Sequence, residues 1–106
     1  MAQSNEIVIF SAINDTETAE ELVTGLLESG LITSGTLFPS TTLLYQWEGK
    51  INLDEETKII MKARRENYDK IEDYIMHKHP YKMPEITTVD ASFGSERFRE
   101  FCRNKP

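Results

Sequence analysis

From Ile32 to Ala63 the chain carries one strong turn signal, Glu48-Gly49, and almost no helical pattern. Thr, Ser and aromatic residues fill the first arm, and Lys58-Ile59-Ile60-Met61-Lys62 is the strongest part of the second. Two β-prone arms around a tight turn read as a hairpin running from about Thr33 to Ala63. Strands of roughly five or six residues are usual, so these arms overhang any sheet that a 106-residue chain can build. Overhanging backbone lacks a ladder partner on one side. Leu43, Leu44, Tyr45 and Trp47 would stand in water there. Pro39 cannot donate to a ladder and must fall at an edge, a bulge or a break. A lone copy would tolerate this arrangement poorly, so the hairpin asks for partners.

The other segments fit around the hairpin. Ile7 to Phe10 is a short β-branched run suited to a buried strand. Asn14 stands three residues before Glu17, a capping-box pattern that predicts a helix start there. Ala19, Leu22, Val23, Leu26 and Leu27 form its apolar stripe, and Gly30 with Leu31 supplies a left-handed stop. A second helix is predicted from near Asn67, with Tyr68, Ile71, Tyr74 and Ile75 buried, until Pro80 ends it. Glu85 to Ala91 reads as a strand. Ser95 caps a last helix in which Phe98, Phe101 and Cys102 share a face. The order strand, helix, strand, strand, helix, strand is the split βαβ, ferredoxin-like pattern of the α+β class. Residues 1–106 are expected to form a single domain with a four-stranded antiparallel sheet, both main helices on one face, and a C-terminal helix appended.

Charge narrows the functions. Twelve Lys and Arg against eighteen Asp and Glu give a net charge of -6, the wrong sign for a general nucleic-acid binder. The local cluster Lys62, Arg64 and Arg65 reads as a solvated strand end rather than a phosphate track. One cysteine excludes an intrachain disulfide and a thiolate-rich zinc site. No uncharged apolar run approaches the roughly 20 residues of a membrane span. The opening Met-Ala-Gln-Ser-Asn-Glu has neither a basic nor an apolar region, so the expected location is cytoplasmic.

Leu44-Tyr45-Gln46-Trp47-Glu48-Gly49-Lys50-Ile51, Glu56, Lys62, and His79-Pro80-Tyr81 with Pro84-Glu85-Ile86 resemble the CutA divalent-ion tolerance family. The resemblance runs from about Ile7 to Phe101. It implies a ferredoxin-like subunit in a tight homotrimer, related in architecture to the PII signal-transduction proteins. It also implies intersubunit clefts and a link to copper and other divalent cations. Metal-binding bacterial members carry a thiol near the end of the first strand and paired histidines before the proline; Ser11, Lys78 and His79 stand there in this chain. One of three implied ligands is left, which disfavours Cu(I), a seeker of thiolates and thioethers.

Each candidate has a structural alternative. His79 is the metal candidate, for Cu(II) or another divalent cation, against a packed, hydrogen-bonded imidazole. Glu56, Lys62, Tyr81 and Glu85 are cleft candidates: the carboxylates could hold a hard cation or serve acid-base work, or form plain ion pairs with Lys50 or Lys62. Tyr45 and Trp47 are expected as interface anchors, because oligomer interfaces favour large aromatics. Met61, Met76 and Met83 are expected as core filler and Cys102 as a buried thiol.

An enzyme is not expected. Ser11 to Thr16 contains no glycine for a phosphate loop, and two histidines assemble no nucleophile set. The expected function is a trimeric protein of divalent-cation tolerance or response, binding a cation or small ligand in intersubunit clefts. The alternatives are a scaffolding trimer without metal function and, further off, a small cleft enzyme.

Overall fold

The computed structural model describes residues 5–104; the first four of the six residues read above for a leader, 1–4, lie outside them. Four strands and three α-helices follow one another: β1 (Glu6–Ile13), α1 (Thr16–Glu28), β2 (Ser34–Trp47), β3 (Lys50–Arg64), α2 (Tyr68–Lys78), β4 (Thr87–Ala91) and α3 (Glu96–Arg103), with a 3₁₀ turn at Arg65–Asn67. The strands form one sheet in the order β2-β3-β1-β4, every pair antiparallel. This is the ferredoxin-like arrangement that the sequence predicts.

Alternation in β1 and β3 explains which face is covered. Ile7, Ile9 and Ile13 on β1, and Ile59, Met61 and Ala63 on β3, are buried beneath Leu22, Leu26, Ile71 and Ile75 from α1 and α2. Truncating a fully buried isoleucine such as Ile59 to alanine would cost about 2–5 kcal/mol. The helix starts one residue later than the capping box suggests. Asp15, not Asn14, is the N-cap, its Oδ2 accepting from the Thr18 backbone N–H at 2.9 Å. At the other end Gly30 takes φ +72°. The Gly30 and Leu31 N–H groups reach the Leu27 and Leu26 carbonyls, the pattern of a Schellman stop.

The hairpin closes through Glu48 and Gly49, both at positive φ (51° and 76°), which matches the right-handed twist of its arms. Pro39 sits in a register shift between Phe38 and Thr41, with Ser40 at φ 59°. Thr41 repairs the break by donating its hydroxyl to the Glu56 carbonyl at 2.7 Å. β1 stops pairing at Ile13, opposite Thr57. From Lys50 to Glu56, β3 therefore has β2 as its only strand neighbour among the described residues. Leu44, Trp47, Ile51 and Leu53 on this arm are 62–79% exposed. The overhang expected from the sequence is real.

Two methionines depart from expectation. Met61 is core, but Met76 and Met83 are exposed: Met76 lies on the outer side of α2, and Met83 lies between two prolines in the segment leading to β4. Cys102 is buried, while its helix mates Phe98 and Phe101 keep much of their rings in solvent.

Candidate functional site

The end of β1, the point where β3 leaves the sheet, and the segment after α2 meet at one place. Asn14, Asp54, Glu55, Glu56 and Tyr81 line a cavity there. The local sequence explains the meeting. Ile13 pairs with Thr57, so the chain turns away at Asn14 just where β3 continues alone. Thr16 Oγ1 and Thr57 Oγ1, 2.6 Å apart, pin the start of α1 to the same point. Pro80 ends α2 and directs the following residues back across the sheet.

His79 fastens that segment. Its ring is buried, and Nε2 donates to the Ala12 carbonyl at 2.8 Å. Nδ1 accepts the Tyr81 backbone N–H at 3.0 Å. These two bonds require the neutral tautomer with hydrogen on Nε2. Burial pushes the imidazole below its usual 6.5, more than the Ala12 carbonyl and the Glu56 charge raise it. The Tyr81 ring packs edge-on against it at 4.7 Å, and the Tyr81 hydroxyl donates to Glu56 Oε2 at 3.4 Å. Burial and the Glu56 charge hold the Tyr81 phenol above its ordinary value.

Glu56 and Tyr81 are thus brought together, and Asp54, which the sequence reading passed over, joins them. Period-two alternation along β3 was the available signal, because it puts Asp54 on the face of Glu56. Asp54 Oδ2 also accepts from the Tyr45 hydroxyl at 2.8 Å, linking the arm to the cavity. Glu85 lies elsewhere, paired with Lys58 at 2.7 Å rather than with Lys50 or Lys62. Lys62 is further off, its Nζ 5.9 Å from the centre of the Phe98 ring. Trp47 is at the hairpin tip, 65% exposed.

The implied soft-metal set does not fit these residues. Ser11 faces the helix-covered core, fully buried, with no hydrogen-bond partner for Oγ. Lys78 closes α2 on its exposed side. His79 has both nitrogens engaged. Among the described residues no group of three or more His, Cys, Asp or Glu side chains converges to hold a metal ion.

Comparison with known proteins now places the chain. The sequence model of the CutA1 divalent ion tolerance proteins matches residues 7–105. The divalent-cation tolerance protein CutA of Yersinia pestis is 30% identical over 98 residues, covering 92% of this chain and 82% of its own. A chloroplastic CutA of Arabidopsis thaliana is 24% identical, and the match spans 54% of its length. Among solved structures, CutA1 of Ehrlichia chaffeensis superposes with a TM-score of 0.89 at 26% identity, over 97% of this chain and 96% of the other. CutA1 of Pyrococcus horikoshii gives 0.86 at 29%, over 93% and 96%. The sheet order, the overhanging hairpin and the His-Pro-Tyr clasp are accordingly those of a chain that belongs to the CutA1 divalent ion tolerance family.

Proposed function

We propose that this chain serves divalent-cation tolerance as a homotrimer, taking a cation or a small polar ligand in clefts between protomers beside Glu56 and Tyr81. The carrying observation is the cavity at the foot of the hairpin arm, where Asp54 and Glu56 face the Tyr81 hydroxyl. Oxygen donors of this kind suit hard divalent ions. Since the described residues of one protomer offer no complete ligand set, completion of the shell by a neighbouring protomer is part of the proposal. The apolar arm supports the trimer, with Tyr45 and Trp47 as anchors against the adjacent copy. Copper enters this reading only as Cu(II), and only if His79 gives up one of its two hydrogen bonds. Cytoplasmic residence belongs to the proposal as well; no helix among the described residues is long and apolar enough to cross a membrane.

Native mass spectrometry of protein purified without chelators, then titrated with Mn(II) and Cu(II), tests this reading. The expected result is three copies per assembly, with a Mn(II) adduct that Glu56→Gln weakens about tenfold. A monomer, or Mn(II) uptake indifferent to Glu56→Gln, would overturn it. The engaged ring of His79 favours a second reading, a trimer that scaffolds another protein without metal. Trimers carrying no adduct at any titration point would select that reading.

A further inference from the structure

The basic cluster at the end of β3 acquires a partner that the sequence does not announce. Arg64 and Arg65 meet Arg103, at the end of α3, around an open cavity of about 440 Å³ also lined by Asn5, Glu6 and Glu66. Three of the chain's five arginines therefore share one cavity in a protein of net charge -6. Backbone pairing builds the place: the Arg65 N–H donates to the Asn5 carbonyl at 2.8 Å, holding the start of β1 against the turn that follows β3. Arg64 and Arg103 also line a smaller neighbouring cavity, with Gly30, Thr33, Asn67 and Cys102. Their side chains thus form the wall between two spaces.

The way Arg64 and Arg103 are used separates them from a purely structural arginine, whereas Arg65 is already ion-paired with Asp90. Arg99 spends Nε and Nη2 on Glu96 and Nη1 on the Phe93 carbonyl. Arg64 offers a single nitrogen, Nη2, to Glu66 at 2.7 Å, and Arg103 a single Nη2 to Glu96 at 3.2 Å. Both side chains are close to half exposed, and the Glu66 partner is 64% exposed. Ion pairs this exposed contribute about 0–1 kcal/mol, so a stronger anion can displace them at small cost. A guanidinium fork matches the oxygens of a phosphoryl group two at a time. The cavity also falls inside the ~300–1,000 Å³ range of small-ligand sites.

We propose that Arg64 and Arg103, with Arg65 beside them, form a binding site for a phosphoryl group, and that the Glu66 carboxylate holds Arg64 until that ligand arrives. The site lies at the C-terminal end of β3, whereas Glu56 is in the middle of that strand, and the inference does not depend on the cation reading. Its ligand class is a small phosphate or diphosphate, free or as the phosphates of a nucleotide.

Isothermal titration of the full chain at low ionic strength, with orthophosphate, pyrophosphate and ADP as probes, tests it. Saturable binding of pyrophosphate is expected, weakened about tenfold by Arg64→Gln and by Arg103→Gln, and left unchanged by Arg97→Gln on the same helix as Arg103. Arg64→Lys keeps the charge without the fork and should fall between wild type and Arg64→Gln. Circular dichroism melts confirm that each variant folds. ADP binding tighter than pyrophosphate assigns the site to a nucleotide, and equal affinities assign it to the diphosphate alone. Absence of saturable binding by all three probes, or affinities that Arg64→Gln and Arg103→Gln leave unaltered in folded protein, would overturn the proposal.

Discussion

His79 donates its Nε2 hydrogen to the carbonyl oxygen of Ala12 across 2.8 Å, joining residues 67 positions apart in the chain. The same ring accepts the Tyr81 N–H on its other nitrogen. One imidazole thereby fixes the end of β1, the exit from α2 and the tyrosine that meets Glu56. Its neutrality is part of the construction, because a second ring hydrogen would point at the Tyr81 N–H.

Stability should consequently depend on pH through this ring. The unfolded chain titrates near 6.5, and burial places the folded imidazole lower. Between those values the unfolded state binds more protons, so stability rises with pH. The contribution of His79 is complete above about pH 6.5 and is lost as pH falls through the folded value. Melting temperatures from pH 5 to pH 8 should drop more steeply on acidification for wild type than for His79→Gln. Parallel curves for the two proteins would contradict the assignment.

Ser11 gives a prediction of opposite sign. Its hydroxyl is fully buried and has no hydrogen-bond partner. An unsatisfied buried polar group costs about 1–3 kcal/mol, so Ser11→Ala should leave stability equal or raise it by about 1 kcal/mol. Ser11→Cys should behave alike, since a thiol is a small apolar group in such a place. Urea unfolding measures both. A loss above about 1 kcal/mol for Ser11→Ala would mean that the hydroxyl has a partner in solution.

Gly25 marks where α1 and α2 touch. A Cβ at that position would overlap the Tyr74 hydroxyl and lie 2.9 Å from its Cζ. In a free helix Gly→Ala would gain about 1 kcal/mol; here overpacking should reverse the sign and cost about 1–3 kcal/mol. Adding Tyr74→Phe removes the overlapping oxygen and should recover part of the loss. Equal melting temperatures for Gly25→Ala and wild type would show that the Tyr74 ring swings aside freely.

Period and punctuation made most of this fold legible. Ile59 and Met61 alternate with Lys58 and Lys62, which distinguishes the helix-covered face of β3 from the bare one. Pro39 marked the bulge and Glu48-Gly49 the turn. The start of α1 was off by one residue because Asn14 and Asp15 are both competent caps; Asp15 wins by reaching both Thr18 N and Thr18 Oγ1. Site contacts were less legible. Local pattern cannot say that Glu85 meets Lys58 and not Lys62, or that Ala12 awaits His79, since both depend on how Pro80 and Pro84 route the chain. The meeting of Arg103 with Arg64 depends likewise on where α3 docks.

The hairpin tip offers the sharpest contrast between a lone protomer and an assembly. Trp47 is 65% exposed in the protomer, whereas Cys102 is 6% exposed. For a monomer, Trp47→Ala should be close to neutral, as surface substitutions usually are within about ±0.5 kcal/mol. Cys102→Ala removes packed volume and should be the costlier change. In the proposed trimer the order reverses, because a buried interfacial tryptophan is among the residues that dominate association, at about 2 kcal/mol or more. A split-core interface should also hold at low micromolar concentration. The expected outcome is a trimer in sedimentation at that concentration, with Trp47→Ala melting below Cys102→Ala and its deficit shrinking as protein concentration rises. A monomeric sedimentation profile, or Trp47→Ala melting at or above Cys102→Ala at every concentration, would remove Trp47 from the interface.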